Sequence, residues 1–72
     1  MQRELTVARV RGSEEADHVE VLFLESARIY LLERARPDFD QLLDRLREGQ
    51  RVRITIAPPD GDVIEDLEAL PA

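Results

Sequence analysis

The stretch VEVLFLESARIYLL, residues 19–32, decides the fold. Two runs rich in β-branched, aromatic and aliphatic residues flank Glu25-Ser26-Ala27, the pattern of two strands joined by a turn. Alternation puts Val19, Val21 and Phe23 on one face of the first strand, and Ile29 with Leu31 on one face of the second. The opposite faces then carry Glu20, Leu22 and Leu24, and Arg28, Tyr30 and Leu32. The hairpin is therefore apolar on both sides, whereas an antiparallel strand with one solvated face alternates more cleanly. Two readings account for this. Both faces pack inside one small barrel and its covering helix, or Leu22, Leu24, Tyr30 and Leu32 form a partner surface, such as that of a homodimer. Ser26 is not a turn residue of the Asn-Gly kind, which leaves the turn geometry open.

Upstream, residues 4–11, ELTVARVR, read as a first strand. Leu5 and Val7 share a face and Val10 falls out of phase, so a bulge near Ala8-Arg9 is expected to return Val10 to the inside. Residues 12–17 form a polar, acidic loop. Downstream, Pro37 disfavours helix at Arg36. Asp38 with Gln41 three residues on is a capping-box pattern, and Phe39, Leu42, Leu43 and Leu46 make one amphipathic stripe. The spacing predicts a helix over residues 39–48, with Arg45 and Arg47 near its negative end and Gly49 stopping it. Residues 50–57 alternate as a strand, with Val52, Ile54 and Ile56 facing in and Arg51, Arg53 and Thr55 facing out. Pro58-Pro59-Asp60-Gly61 makes a turn, residues 62–67 a last short strand, and residues 68–72 a tail pinned by Leu70.

The order is strand, strand, strand, helix, strand, strand, an α+β but mainly β chain. It matches a small five-stranded OB-like barrel with a helix between the third and fourth strands. The alternatives are an SH3-like barrel or an open sheet with one helix. The stretch GQRVRITIAPPDGDVIEDL resembles the last two strands of small OB domains, including the type in translation initiation factor one and S1 domains. Across residues 4–67 the strand order and pattern resemble small uncharacterised bacterial OB-like proteins.

The chain has 72 residues, one domain's worth. A chain so short buries only about 60–65% of the surface its unfolded form exposes. It has no cysteine, so neither a disulfide nor a thiolate metal site can supplement the core. Tight packing or oligomerisation must do so, a second reason to expect a homodimer. Lack of cysteine fits a reducing cytoplasm. No apolar run approaches the roughly 20 residues that span a bilayer, and no secretory h-region follows Met1, so a cytoplasmic location without membrane contact is expected. All ten basic residues are arginine, a usage read as that of a GC-rich genome, and the net charge is −6.

OB domains bind oligonucleotides on the face of strands two and three. The matching candidates here are Arg9, Arg11, Arg28, Arg51 and Arg53 with Tyr30 for stacking. Against single-stranded RNA or DNA stand the acidic balance and the acidic loops, with Glu14, Glu15 and Asp17 in one and Asp60 and Asp62 in the other. The arginines read first as solvated partners of the sixteen carboxylates. His18, the one histidine and so the one candidate for a protonation switch, reads as a surface residue. Asp60, Asp62, Glu65 and Asp66 offer oxygen ligands without EF-hand order, so no metal site is assigned. Ser13, Ser26 and His18 make no triad, and Gly12, Gly49 and Gly61 read as turns or caps. No catalytic residue and no cofactor is expected. The sequence points to a non-enzymatic binding module, self-associating through the face of strands two and three.

Overall fold

The computed structural model describes residues 2–12, 15–56 and 61–71. Its elements are β1 (Gln2–Gly12), β2 (His18–Phe23), β3 (Ile29–Glu33), α1 (Phe39–Asp44), β4 (Arg51–Ile56) and β5 (Ile64–Ala69). Among the described residues, five antiparallel strands and one short helix make a mainly-β fold, in the expected element order. The sheet order is β3-β2-β1-β4-β5. β1 is long enough to serve two partners: residues 2–6 pair with β4, and residues 7–12 pair with β2. The register shifts between Val7 and Arg9, and Val10 beyond it pairs with inward Val21 and packs on the core. This is the bulge that the out-of-phase Val10 demanded. Among the described residues, β3 meets the chain just before β5 at one parallel bridge, Leu31 to Val63, where the Leu31 N–H donates to the Asp62 carbonyl at 2.7 Å. One bridge does not close the sheet.

The core gathers Leu5, Val7, Val19, Val21, Phe23, Tyr30, Leu32, Val52, Ile54, Ile56, Ile64 and Leu67 from the strands, with Phe39, Leu42 and Leu46 from α1 and the turn after it. Val52, Ile54 and Ile56 face in as expected. In β3 the faces are exchanged. Tyr30 and Leu32, expected outside, are 0% exposed, while Ile29 is 40% exposed and Leu31 half-buried. The register explains this. Val21 pairs with Tyr30 and Leu22 with Ile29, so an inward Val21 takes Tyr30 in with it. Equating the inner faces as Val21 with Ile29 and Leu31 requires a turn one residue different in length. The large side chain wins the interior: the Tyr30 ring meets Phe23 edge-on, with centroids 5.4 Å apart.

The helix is shorter than the apolar stripe suggested. It ends at Asp44, not at residue 48. Beyond it, Leu46 N–H bonds the Leu43 carbonyl at 3.0 Å in a tighter turn that still buries the Leu46 side chain. The chain must turn here because Gly49 N–H donates to the Val7 carbonyl at 2.8 Å, and Val7 N–H to the Gln50 carbonyl at 2.9 Å. Gly49, at φ 85°, supplies the left-handed residue for that return rather than stopping the helix directly. Asp38 stands at the N-cap but makes no side-chain capping bond. Its carboxylate is held instead by Arg36, Nε to Oδ1 at 2.8 Å and Nη2 to Oδ2 at 3.2 Å. No basic residue lies in the helix's last turn: Arg45 is the C-cap and Arg47 lies beyond it.

β5 begins at Ile64 and runs to Ala69, two residues later at each end than the sequence suggested. Leu70 ties down the following segment, its N–H donating to the Arg51 carbonyl at 2.9 Å. Asp60, of the expected Asp-Gly turn, lies outside the described residues.

Candidate interaction surface

The outer face of β1, β2 and β3 is laid out by the pairing register. One row reads Arg9, Leu22, Ile29; the next reads Arg11, Glu20, Leu31. Leu24, in the turn after β2, is 71% exposed and is the most open large apolar residue described. Leu22, Leu24, Ile29 and Leu31 thus form an apolar surface on the outside of the hairpin. Leu22 and Leu24 were expected there. Ile29 and Leu31 take the places that the sequence reading gave to Tyr30 and Leu32, which are core residues and reach no partner. The signal that could have found them is the aromatic pair: Phe23 and Tyr30 meet only if they share a face, and Phe23 already reads as inward.

Leu24 is held out by its neighbours. Its N–H donates to the Thr6 carbonyl at 3.0 Å. Glu25 then accepts the Thr6 N–H at 2.7 Å and the Thr6 hydroxyl at 2.7 Å. This carboxylate stitches the hairpin turn to β1 where that strand passes from one partner to the other. The Thr6 backbone bond, then the hydroxyl, with Arg51 close by, hold the Glu25 carboxyl below the ordinary carboxylate range.

Four of the five arginines considered for nucleic acid are occupied by carboxylates. Arg11 pairs with Glu20 at 3.5 Å and Arg28 with Asp62 at 2.8 Å. Arg51 lies 3.5 Å from Glu25, and Arg53 lies 3.3 Å from Glu4 and 3.6 Å from Glu68. Arg9 alone of the five has no ion pair among the described residues; it is exposed beside Leu22. Tyr30 is buried, its hydroxyl accepting a bond from Arg3 Nη1 at 2.9 Å, so no base can stack on it. His18 sits opposite Glu33 in the register and, with Arg11, Gly12, Ala16 and Glu20, lines a shallow groove. Among the described residues no group of three His, Cys, Asp or Glu side chains could hold a metal ion. Of the acidic residues considered for one, Asp60 lies outside the described residues. No helix among them is long and apolar enough to cross a membrane.

Compared with protein-family models, with characterised proteins and with solved structures, the chain matches none.

Proposed function

We propose that the chain is a small OB-like barrel acting as a non-enzymatic interaction module, and that it associates with a second copy through the outer face of β2 and β3. The observation that carries this is the apolar surface of Leu22, Leu24, Ile29 and Leu31, with Leu24 71% and Ile29 40% exposed. The strand order 3-2-1-4-5, with the parallel bridge from β3 to Val63 just before β5, supports the OB-like reading, since that barrel is partly open and places its helix before strand four. An isologous contact asks only that the same patch meet itself. Four side chains make a small contact, so the affinity expected is roughly micromolar or weaker. Apolar burial is insensitive to screening, so the association is expected to persist in salt. The reading of single-stranded RNA or DNA as the ligand draws less support, because Arg11, Arg28, Arg51 and Arg53 are engaged and Tyr30 is buried. The lack of cysteine supports the cytoplasm as its location.

The test is solution mass by sedimentation equilibrium over a wide concentration range at low and high salt. A dimer that Leu24→Glu abolishes supports the proposal. A monomer at every concentration, or a dimer that Leu24→Glu leaves intact, overturns it.

A further inference from the structure

β2 ends at Phe23, so Leu24 stands in the turn. It is exposed and no part of the core, so packing does not hold it. The bonds within the turn are long: Ser26 N–H reaches the Phe23 carbonyl at 3.4 Å, and Arg28 N–H the Ser26 hydroxyl at 3.2 Å. The bonds to Thr6 are shorter. Leu24 N–H donates to the Thr6 carbonyl at 3.0 Å, and the Glu25 carboxylate accepts the Thr6 N–H and the Thr6 hydroxyl, each at 2.7 Å. Hydrogen bonds to an ionised carboxylate are about twice as strong as neutral ones. One residue of β1 therefore grips the turn on both sides of Leu24. Thr6 is itself firmly placed. It is the last residue of β1 paired with β4, opposite Arg51, and Val7 beside it begins the pairing with β2. Arg51 Nη1, 3.4 Å from the Thr6 hydroxyl and 3.5 Å from Glu25 Oε2, backs the contact from β4.

We propose that Glu25 is the positioning residue of the self-association face: its carboxylate, clasped on Thr6, holds the hairpin tip so that Leu24 continues the outward line of Leu22 as one rigid surface for the second copy. The inference rests on the self-association proposed above. A tip fixed before contact loses less conformational freedom on contact. Without the clasp, the ordering of the tip falls on the association and weakens it by about tenfold.

The experiment measures the dissociation constant by sedimentation equilibrium for the parent, Glu25→Ala, Thr6→Val and the double variant, each shown to be folded by far-UV circular dichroism. Glu25→Ala is expected to weaken association about tenfold, and Thr6→Val, which removes only the hydroxyl bond, about threefold. Glu25→Ala also reduces the net charge of −6, which favours contact between like copies, so its loss of affinity runs against the charge trend. In the Glu25→Ala background Thr6→Val should cause no further loss, because the hydroxyl then has no carboxylate to hold. Backbone amide relaxation by NMR supplies a second readout, taken in an Ile29→Glu background that silences the face and leaves Leu24 in place. There the order parameters of Leu24 and residue 25 should fall toward those of a flexible loop in Glu25→Ala, while those of Val21 and Val52 stay rigid. A parent that is monomeric at every concentration overturns both the self-association and this inference. A parent that dimerises while Glu25→Ala stays within about twofold of its dissociation constant overturns the inference alone. So do losses from Glu25→Ala and Thr6→Val that simply add, which would place Glu25 against the partner rather than on Thr6, and so do unchanged order parameters at the tip. If Glu25→Ala does not fold, Thr6→Val is read alone by the same two measurements.

Discussion

Replacing Tyr30 with alanine separates the core from the outer face more sharply than any other single change. Its side chain is 0% exposed, sits edge-on to Phe23, and carries its hydroxyl to Arg3. Truncating a buried aromatic to alanine costs about 3–5 kcal/mol. A 72-residue chain has about 4–11 kcal/mol of stability in all. Tyr30→Ala should therefore remove from about a quarter of the total to all of it. With a urea m value of about 1 kcal/mol/M, the midpoint falls by ~3 M or more. Leu24→Glu is the control. The side chain is 71% exposed, so about a third of a full leucine burial is lost, ~0.5–1 kcal/mol. Tyr30→Phe isolates the hydroxyl and should cost ~0.5–1.5 kcal/mol, toward the low end because half-buried Arg3 can turn to water. The assay is urea unfolding followed by far-UV circular dichroism at fixed concentration in a buffer where the parent is monomeric, since association would otherwise raise apparent stability. A Tyr30→Ala midpoint within about 1 M of the parent's would refute the assignment of Tyr30 to the core and restore it to the outer face.

Gly12→Ala would set a Cβ 2.7 Å from Val19 Cγ1, a buried and stiff neighbour, and should cost ~1–3 kcal/mol in chemical denaturation; combined with Val19→Ala the loss should be less than the sum of the two. Gly49→Ala meets no atom within 4 Å, so only the positive φ is strained, and a loss of ~1–2 kcal/mol is expected with no change in m value. Glu25→Gln should lower the melting temperature at neutral pH, because the amide cannot accept both Thr6 bonds. The Glu25 carboxyl titrates lower folded than unfolded, so its stabilisation is present above the ordinary value of 4.5 and fades as pH falls through the folded value. The gap between parent and Glu25→Gln melting temperatures should accordingly close on acidification; a gap constant with pH would show that the carboxylate's charge is not what holds the turn.

The strands were legible in the sequence because their apolar residues alternate, and β4 most of all because Val52, Ile54 and Ile56 alternate without interruption. The bulge was legible for the same reason: Val10 had no inward place without it. The facing of β3 was not, because Arg28 to Leu32 offers apolar residues on both parities and only the turn length chooses between them. That one-residue ambiguity moved half of the expected interface, Tyr30 and Leu32, into the core and brought Ile29 and Leu31 out. The helix end was misjudged because the apolar stripe continues to Leu46, while the bonds that bend the chain at Gly49 and Gln50 reach to Val7, more than forty positions away in sequence. Tertiary pairing outweighs local periodicity there.

The use of arginine carries a structural meaning that composition alone does not express. Arg36 binds the Asp38 carboxylate through Nε and Nη2 and the Ile64 carbonyl through Nη1, three bonds from one planar group. A lysine ammonium cannot hold a carboxylate in two-point contact while reaching a carbonyl on another strand in fixed geometry. Arg45 reaches the Leu67 carbonyl further along β5, and Arg53 bridges Glu4 of β1 and Glu68 of β5 from between them on β4. These bonds run across the sheet and along its unclosed side, where backbone pairing stops. The register shift between Thr55 and Ile56 breaks the regular alignment of β5 with β4 beside Ile64, and the Ile64 carbonyl there takes the Arg36 guanidinium. In a chain with no disulfide and little core to spare, a side chain with five donors is the cheapest way to satisfy an edge that the backbone leaves open. The same commitment of arginines to carbonyls and carboxylates leaves few of them for phosphates, and it makes the uncovered leucine and isoleucine of the hairpin, rather than its positive charge, the feature that a partner would meet.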